Sequence, residues 1–167
     1  MRLLLIRHAI AEERGPRWPD DSLRPLTADG RRKMREAAAG ITYLAQPQLI
    51  LTSPYTRALE TARIVAEAFP GIEVRESDGL TASDHEAWFA AAAESGKDCV
   101  AAIGHEPLLS QALSLLLQGD EMAIRVEFKK GAAALVECYS APAPGAATLL
   151  WLIQPAGLRA VARTSAN

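Results

Sequence analysis

The stretch LLLIRHAIAEE, residues 3–13, runs four apolar side chains straight into an arginine and a histidine. Residues 3–6 show no alternation of apolar and polar, so they read as a strand buried on both faces. Such strands belong to sheets covered by helices on each side, where ligands bind beyond the carboxyl ends of the strands. Arg7 and His8 therefore stand where that kind of sheet places its chemistry.

Working outward, EERGPRWPDDSLRP (12–25) is polar and turn-rich and reads as a loop over the top of the sheet. Thr27 is placed to cap a helix whose inner face carries Met34, Ala37, Ala38 and Ile41 at helical spacing. A second apolar run, 49–51, ends at Ser53-Pro54, a helix start with serine as cap and proline first. The helix that follows turns Ala58, Ala62, Val65 and Phe69 inward. IEVRE (72–76) reads as a short strand, and a third helix follows DGLTASD. CVAAIGHEP (99–107) then repeats the opening arrangement of buried strand, histidine and helix start. AAALVECY and TLLWLIQ, separated by a Pro/Gly-rich connection, close the chain as a hairpin, and AGLRAVARTSAN is expected to fray. Strands alternating with helices, then a hairpin, give an α/β class: a mainly parallel sheet with an antiparallel edge element. No internal boundary interrupts the 167 residues, so a single domain over 1–167 is expected.

The net charge of −2 gives no global attraction to nucleic acid or to an anionic membrane, and no apolar run is long enough to span a bilayer. The amino terminus lacks a secretory pattern, so a cytoplasmic protein is expected. Cys99 and Cys138 sit in apolar runs without CxxC spacing, as buried reduced thiols do. Neither GxGxxG nor GxxxxGK[ST] occurs, which disfavours a nucleotide-binding fold, and His8, His85 and His105 have no HExxH spacing for a metal.

Three strand ends bring polar residues to one side of the sheet: Arg7-His8, the Ser53-Pro54 turn with Arg57, and Gly104-His105-Glu106. Guanidinium forks and helix amino termini match a tetrahedral oxyanion, so the implied ligand is phosphate. Each residue taken alone has a plainer reading. A strand-end histidine is usually structural, Arg57 a solvated helix residue, and Ser53 an N-cap without the GxSxG surroundings of a nucleophile. Arg24 has two readings, a contact to the phosphate region and, ahead of it, a structural pairing between helix and loop.

LLIRHAIAE, RPLTADGRR, LTSPYTRALETA and AIGHEPLL, in this order and at these intervals, resemble the histidine phosphatase superfamily, and within it the short SixA-type phosphohistidine phosphatases. The resemblance covers about residues 2–154. It implies a three-layer αβα sandwich, a nucleophilic imidazole at His8, a phosphate pocket of Arg7, His8, Arg57 and a protonated His105, and neither metal nor cofactor. It also implies, as partner, a histidine-phosphorylated protein such as a phosphorelay or phosphotransferase component.

Two departures bear on chemistry. Ala9 stands where the superfamily's first motif has glycine, a costly exchange only if the backbone there is left-handed. Larger members supply a glutamate acid after the third strand, and LTASDHEAW offers only Asp84, His85 and Glu86, which read equally as the exposed start of a helix. An alkoxide leaves poorly without an acid, whereas imidazole, with a conjugate-acid pKa of roughly 6.5, leaves readily. The acid-poor sequence therefore points to phosphohistidine. A broad small-molecule phosphomonoesterase and a non-catalytic phosphate- or phosphoprotein-binding module are the competing readings.

Overall fold

A computed structural model describes residues 1–81 and 84–165. In chain order the elements are β1 (Arg2–Arg7), α1 (Ala28–Ile41), β2 (Leu49–Thr52), α2 (Thr56–Glu67), β3 (Glu73–Glu76), α3 (His85–Glu94), β4 (Cys99–Gly104), α4 (Leu108–Gln118), β5 (Ala133–Cys138), β6 (Ala147–Ile153) and α5 (Pro155–Ser165). The strands form one six-stranded sheet in the order β3-β2-β4-β1-β5-β6. β1, β2, β3 and β4 pair in parallel, while β5 is antiparallel to β1 and to β6.

Residues 3–6 are fully buried, and they divide between two cores. Leu4 and Ile6 pack with Ala37, Ile41, Ala62 and Leu158 on one face, while Leu3 and Leu5 pack with Trp88, Leu109, Leu113 and Phe128 on the other. Side chains of a strand alternate between faces, so a run that is greasy throughout needs a core on each. The sheet is thus the middle of three layers. Cys99 and Cys138 are buried free thiols, and burial pushes Cys99 up to about 11.

β1 and β4 are neighbours in exact register, Arg7 opposite Gly104, although the chain leaves them toward different faces: α1 follows β1 on one side, α4 follows β4 on the other. Sheets of this kind open a crevice at such a switch in direction, and His8 and His105 directly follow the two strands that make it.

Thr27 caps α1 as expected, its hydroxyl accepting from the Gly30 N–H at 2.9 Å. Two expectations need correction. α2 begins at Thr56, with Tyr55 as its cap, because the Ser53 N–H continues the ladder by donating to the Ile103 carbonyl. The carboxyl-terminal segment does not fray over 155–165, which form α5 with Leu158 fully buried against α1; residues 166–167 lie outside the described residues. Gly40 permits that contact, since a Cβ there would lie 2.0 Å from the Leu158 carbonyl oxygen. Among the described residues no helix is long and apolar enough to cross a membrane.

Candidate active site

The β1 and β4 ends place two imidazoles side by side, with ring centroids 5.0 Å apart. His8 is 5 % exposed. Its Nδ1 lies 2.7 Å from the Ala9 carbonyl oxygen, a partner that only accepts, so Nδ1 carries the ring proton and Nε2 keeps its lone pair. Burial lowers the pKa of His8 to about 3, assisted by repulsion from His105, Arg57 and Arg7. At neutral pH the ring is an uncharged base with a free nitrogen.

His105 is held from its other nitrogen. Nε2 lies 2.8 Å from Ser53 Oγ, and that oxygen already accepts the Tyr55 N–H at 3.3 Å. Ser53 is fully buried and its hydroxyl proton has no other acceptor among the described residues, so it goes to Nε2, and the ring proton resides on Nδ1. Burial and Arg57 bring this histidine down to about 4. The expected protonated His105 is thus neutral in the ligand-free site, yet it still presents one N–H. A bound dianion would favour its protonation. Ser53 is the residue whose part sequence reasoning missed: a Ser-Pro pair signals an N-cap, and nothing local reveals a histidine 52 positions away.

Arg57 is not a solvated helix residue; it is 5 % exposed. Its Nη1 donates to the Asp21 carbonyl at 2.7 Å and its Nη2 pairs with the Asp21 carboxylate at 3.0 Å, while the Tyr55 ring lies 4.9 Å beneath. Burial lowers the guanidinium's pKa and Asp21 opposes that shift. Asp21 also binds Arg14 and Arg24, at 3.0 and 2.9 Å, and these partners, Arg14 foremost, hold its carboxyl well below the usual range. The loop after β1 is therefore the wall that clamps Arg57, and Arg24 pairs within that loop, donating also to the Glu12 carbonyl.

Arg7 is fixed by donation from Nη1 to the Phe128 carbonyl, and the Gly131 N–H returns to the carbonyls of Arg7 and His8. With these anchors made, Arg7 Nε, Arg57 Nε and His105 Nδ1 are buried donors without a partner among the described residues. Buried donors are seldom left so, and three of them beside one neutral imidazole are an arrangement that suits an oxyanion.

Asp84 and Glu86 are not brought to this cluster. The Asp84 carboxylate caps α3 through the Ala87 N–H at 3.1 Å, and Glu86 is exposed in the first turn. A different carboxyl adjoins it in sequence: Glu106, next to His105, has a buried Oε1 without a partner, and burial raises its pKa although a hydrogen bond with Ser110 and, less strongly, Arg7 oppose this. Its position in GHEP was visible in the sequence, but its burial was not. Ala9 has a negative φ, as does every non-glycine residue described, so alanine imposes no backbone strain in this motif.

The family model described as histidine phosphatase superfamily (branch 1) matches residues 3–107. An uncharacterized protein of Picosynechococcus sp. is 33% identical over 121 residues, 66% of this chain and 70% of that protein. The solved structure of the protein histidine phosphatase SixA complexed with tungstate superposes with a TM-score of 0.77 at 25% identity, covering 95% of this chain and 99% of that one. The alpha-ribazole phosphatase from Shigella flexneri shares the fold, with a TM-score of 0.73 at 18% identity over 93% and 97% of the two chains. The chain belongs to the histidine phosphatase superfamily, is SixA-like within it, and is a phosphatase.

Proposed function

We propose that this phosphatase removes phosphate from a protein histidine through a phosphohistidine intermediate on His8. The observation that carries the reading is the pairing of a neutral imidazole, its Nε2 free, with three buried and unpartnered donors on Arg7, Arg57 and His105. His8 Nε2 attacks phosphorus, the bond from phosphorus to the substrate imidazole breaks, and that imidazole leaves with a proton. Water then attacks phospho-His8, releasing inorganic phosphate and restoring the neutral ring. The arginines and His105 Nδ1–H stabilise the equatorial oxygens, and positioning plus electrostatics supplies most of what phosphoryl transfer needs.

Two features support a protein histidine as substrate. Only eight residues, 77–84, connect β3 to α3, too few to build a lid over a small molecule. Asp84 is spent on capping and Glu86 faces solvent, which suits a leaving group that departs without strong acid assistance. The partner on this reading is a histidine-phosphorylated relay or phosphotransferase component, and the buried unpaired thiols fit a reducing cytoplasm.

Glu106 favours a second reading. A carboxyl that holds its proton to higher pH beside the site is a general acid for ester leaving groups, which would make the protein a phosphomonoesterase. The test compares phosphate release from a histidine-phosphorylated protein domain and from p-nitrophenyl phosphate, with wild type, His8→Ala and Glu106→Gln. The first reading expects fast loss from phosphohistidine, slow ester hydrolysis, an inactive His8→Ala and a Glu106→Gln variant unchanged on phosphohistidine. An ester preferred by wild type, and lost about tenfold or more in Glu106→Gln, establishes the second.

A further inference from the structure

Next to Arg7, on the side of the sheet that carries α1 and α5, a cavity of about 470 Å³ is lined by Arg7, Lys33, Lys129, Lys130 and Arg159, with Glu127 beside them. So much positive charge in one recess stands out in a chain of net charge −2. The cations are not equivalent. Lys33 pairs with Asp29 at 2.6 Å and Arg159 with Glu36 at 3.7 Å. Lys129 and Lys130 are exposed, and neither forms an ion pair with any described residue.

Their backbone is firmly mounted. Phe128 is fully buried and its carbonyl accepts from Arg7, while the Gly131 N–H donates to the Arg7 and His8 carbonyls at 3.1 and 3.2 Å. On the other side, the Lys129 N–H donates to Gln154 Oε1 at 3.1 Å, and Gln154 Nε2 donates to the Glu127 carbonyl at 2.7 Å. Two free ammonium groups thus stand on a short shelf tied to the residues that bear the phosphate cradle. Adjacent like charges repel unless an anion from elsewhere lies between them.

We infer that Lys129 and Lys130 form a docking shelf for an acidic segment of the phosphoprotein, engaging carboxylates that flank its phosphorylated histidine. The inference rests on the phosphohistidine reading above. The phosphoryl group occupies the cradle, and the shelf begins at Arg7, so chain running away from the phosphohistidine on this side passes over the lysines. Carboxylates there gain an attraction that a lone phosphate ester does not. Because both lysines are exposed, the gain is modest and salt-sensitive.

The test uses two phosphohistidine peptides of identical sequence except that the residues flanking the histidine are glutamate in one and glutamine in the other. At low ionic strength wild type should turn over the glutamate peptide with a kcat/KM about fivefold higher. High salt and the double variant Lys129→Ala/Lys130→Ala should each abolish that preference, while hydrolysis of p-nitrophenyl phosphate stays unchanged. Equal kcat/KM for the two peptides in wild type overturns the shelf. So does an equal loss on peptide and ester in the variant, which would mean the lysines only support Arg7. Fluorescence anisotropy of the same peptides, labelled, separates this from failure of the parent reading. If wild type cleaves neither peptide, the phosphohistidine assignment falls, and tighter, lysine-dependent binding of the glutamate peptide still decides the shelf.

Discussion

His8 and His105 follow adjacent strands whose last residues, Arg7 and Gly104, are register partners, yet each ring is tethered by a different nitrogen. His8 gives Nδ1–H to the carbonyl of the next residue and keeps an unprotonated Nε2. His105 accepts a hydrogen bond from the Ser53 hydroxyl at Nε2 and keeps an N–H at Nδ1. One turn therefore presents a lone pair and the other a donor, although burial makes both rings neutral. The difference is set by backbone and hydroxyl partners, not by net charge. A nucleophile and an oxyanion donor can thus be made from the same side chain, 5.0 Å apart.

The largest effect comes from breaking the two turns separately. On the proposed mechanism His8→Ala should lose turnover by about 10³-fold or more, because it removes the group proposed to accept the phosphoryl. His105→Ala should lose about 10²-fold, the usual effect of removing one transition-state donor. Intact-mass measurement after a rapid neutral quench discriminates the roles: His105→Ala still gains one phosphoryl group, and His8→Ala gains none. Labelled His8→Ala protein would show that the phosphoryl group rests elsewhere.

A second effect is thermodynamic. Both histidines have folded pKa values, about 3 and about 4, below the unfolded value near 6.5. Between those limits the unfolded chain binds more protons than the folded one, so stability rises with pH across the window and is lost as pH falls from 6.5 toward 3. Denaturant unfolding should show a loss of about 6 kcal/mol between pH 7 and pH 4, about half from each ring, that the double variant His8→Asn/His105→Asn largely lacks. Parallel profiles in the two proteins would mean that neither ring is kept neutral by the fold.

These rings also show what was legible in the sequence. The strands were, because 3–6 and 99–103 are apolar throughout and each core takes alternate residues. The convergence of Arg7, His8, Arg57 and His105 followed from three strand ends and the order of four motifs. What was hidden depends on distant partners. Arg57 is buried by Asp21, 36 residues earlier, and no helical periodicity reveals that clamp. α5 was misread because its order comes from Leu158 seated at Gly40, a tertiary contact that propensity does not report.

A smaller test sharpens the role of Ser53, which acts through His105. Ser53→Ala removes the hydroxyl that assigns the ring proton to Nδ1, and kcat should fall about fivefold, the scale of one hydrogen bond. The decisive reading is a double-mutant cycle: added to His105→Ala, Ser53→Ala should cost nothing further in kcat. Additive losses would place Ser53 in some other role.

The smallest effect concerns Ala9, where the superfamily's first motif carries glycine. The Ala9 carbonyl accepts from His8 Nδ1 and its N–H donates to Thr61 Oγ1 at 3.0 Å, so the backbone here, rather than the side chain, fixes the nucleophile's tautomer. Since φ at Ala9 is negative, glycine offers no relief of strain and adds freedom to the unfolded chain. The buried methyl group, 3 % exposed, would also be lost from the core. Ala9→Gly should therefore lower stability by about 1 kcal/mol while leaving kcat and its pH profile in place. A change in the pH profile with stability unaltered would show that the methyl group itself holds the His8 ring, and the contrast between the two turns would then rest on packing as much as on hydrogen bonds.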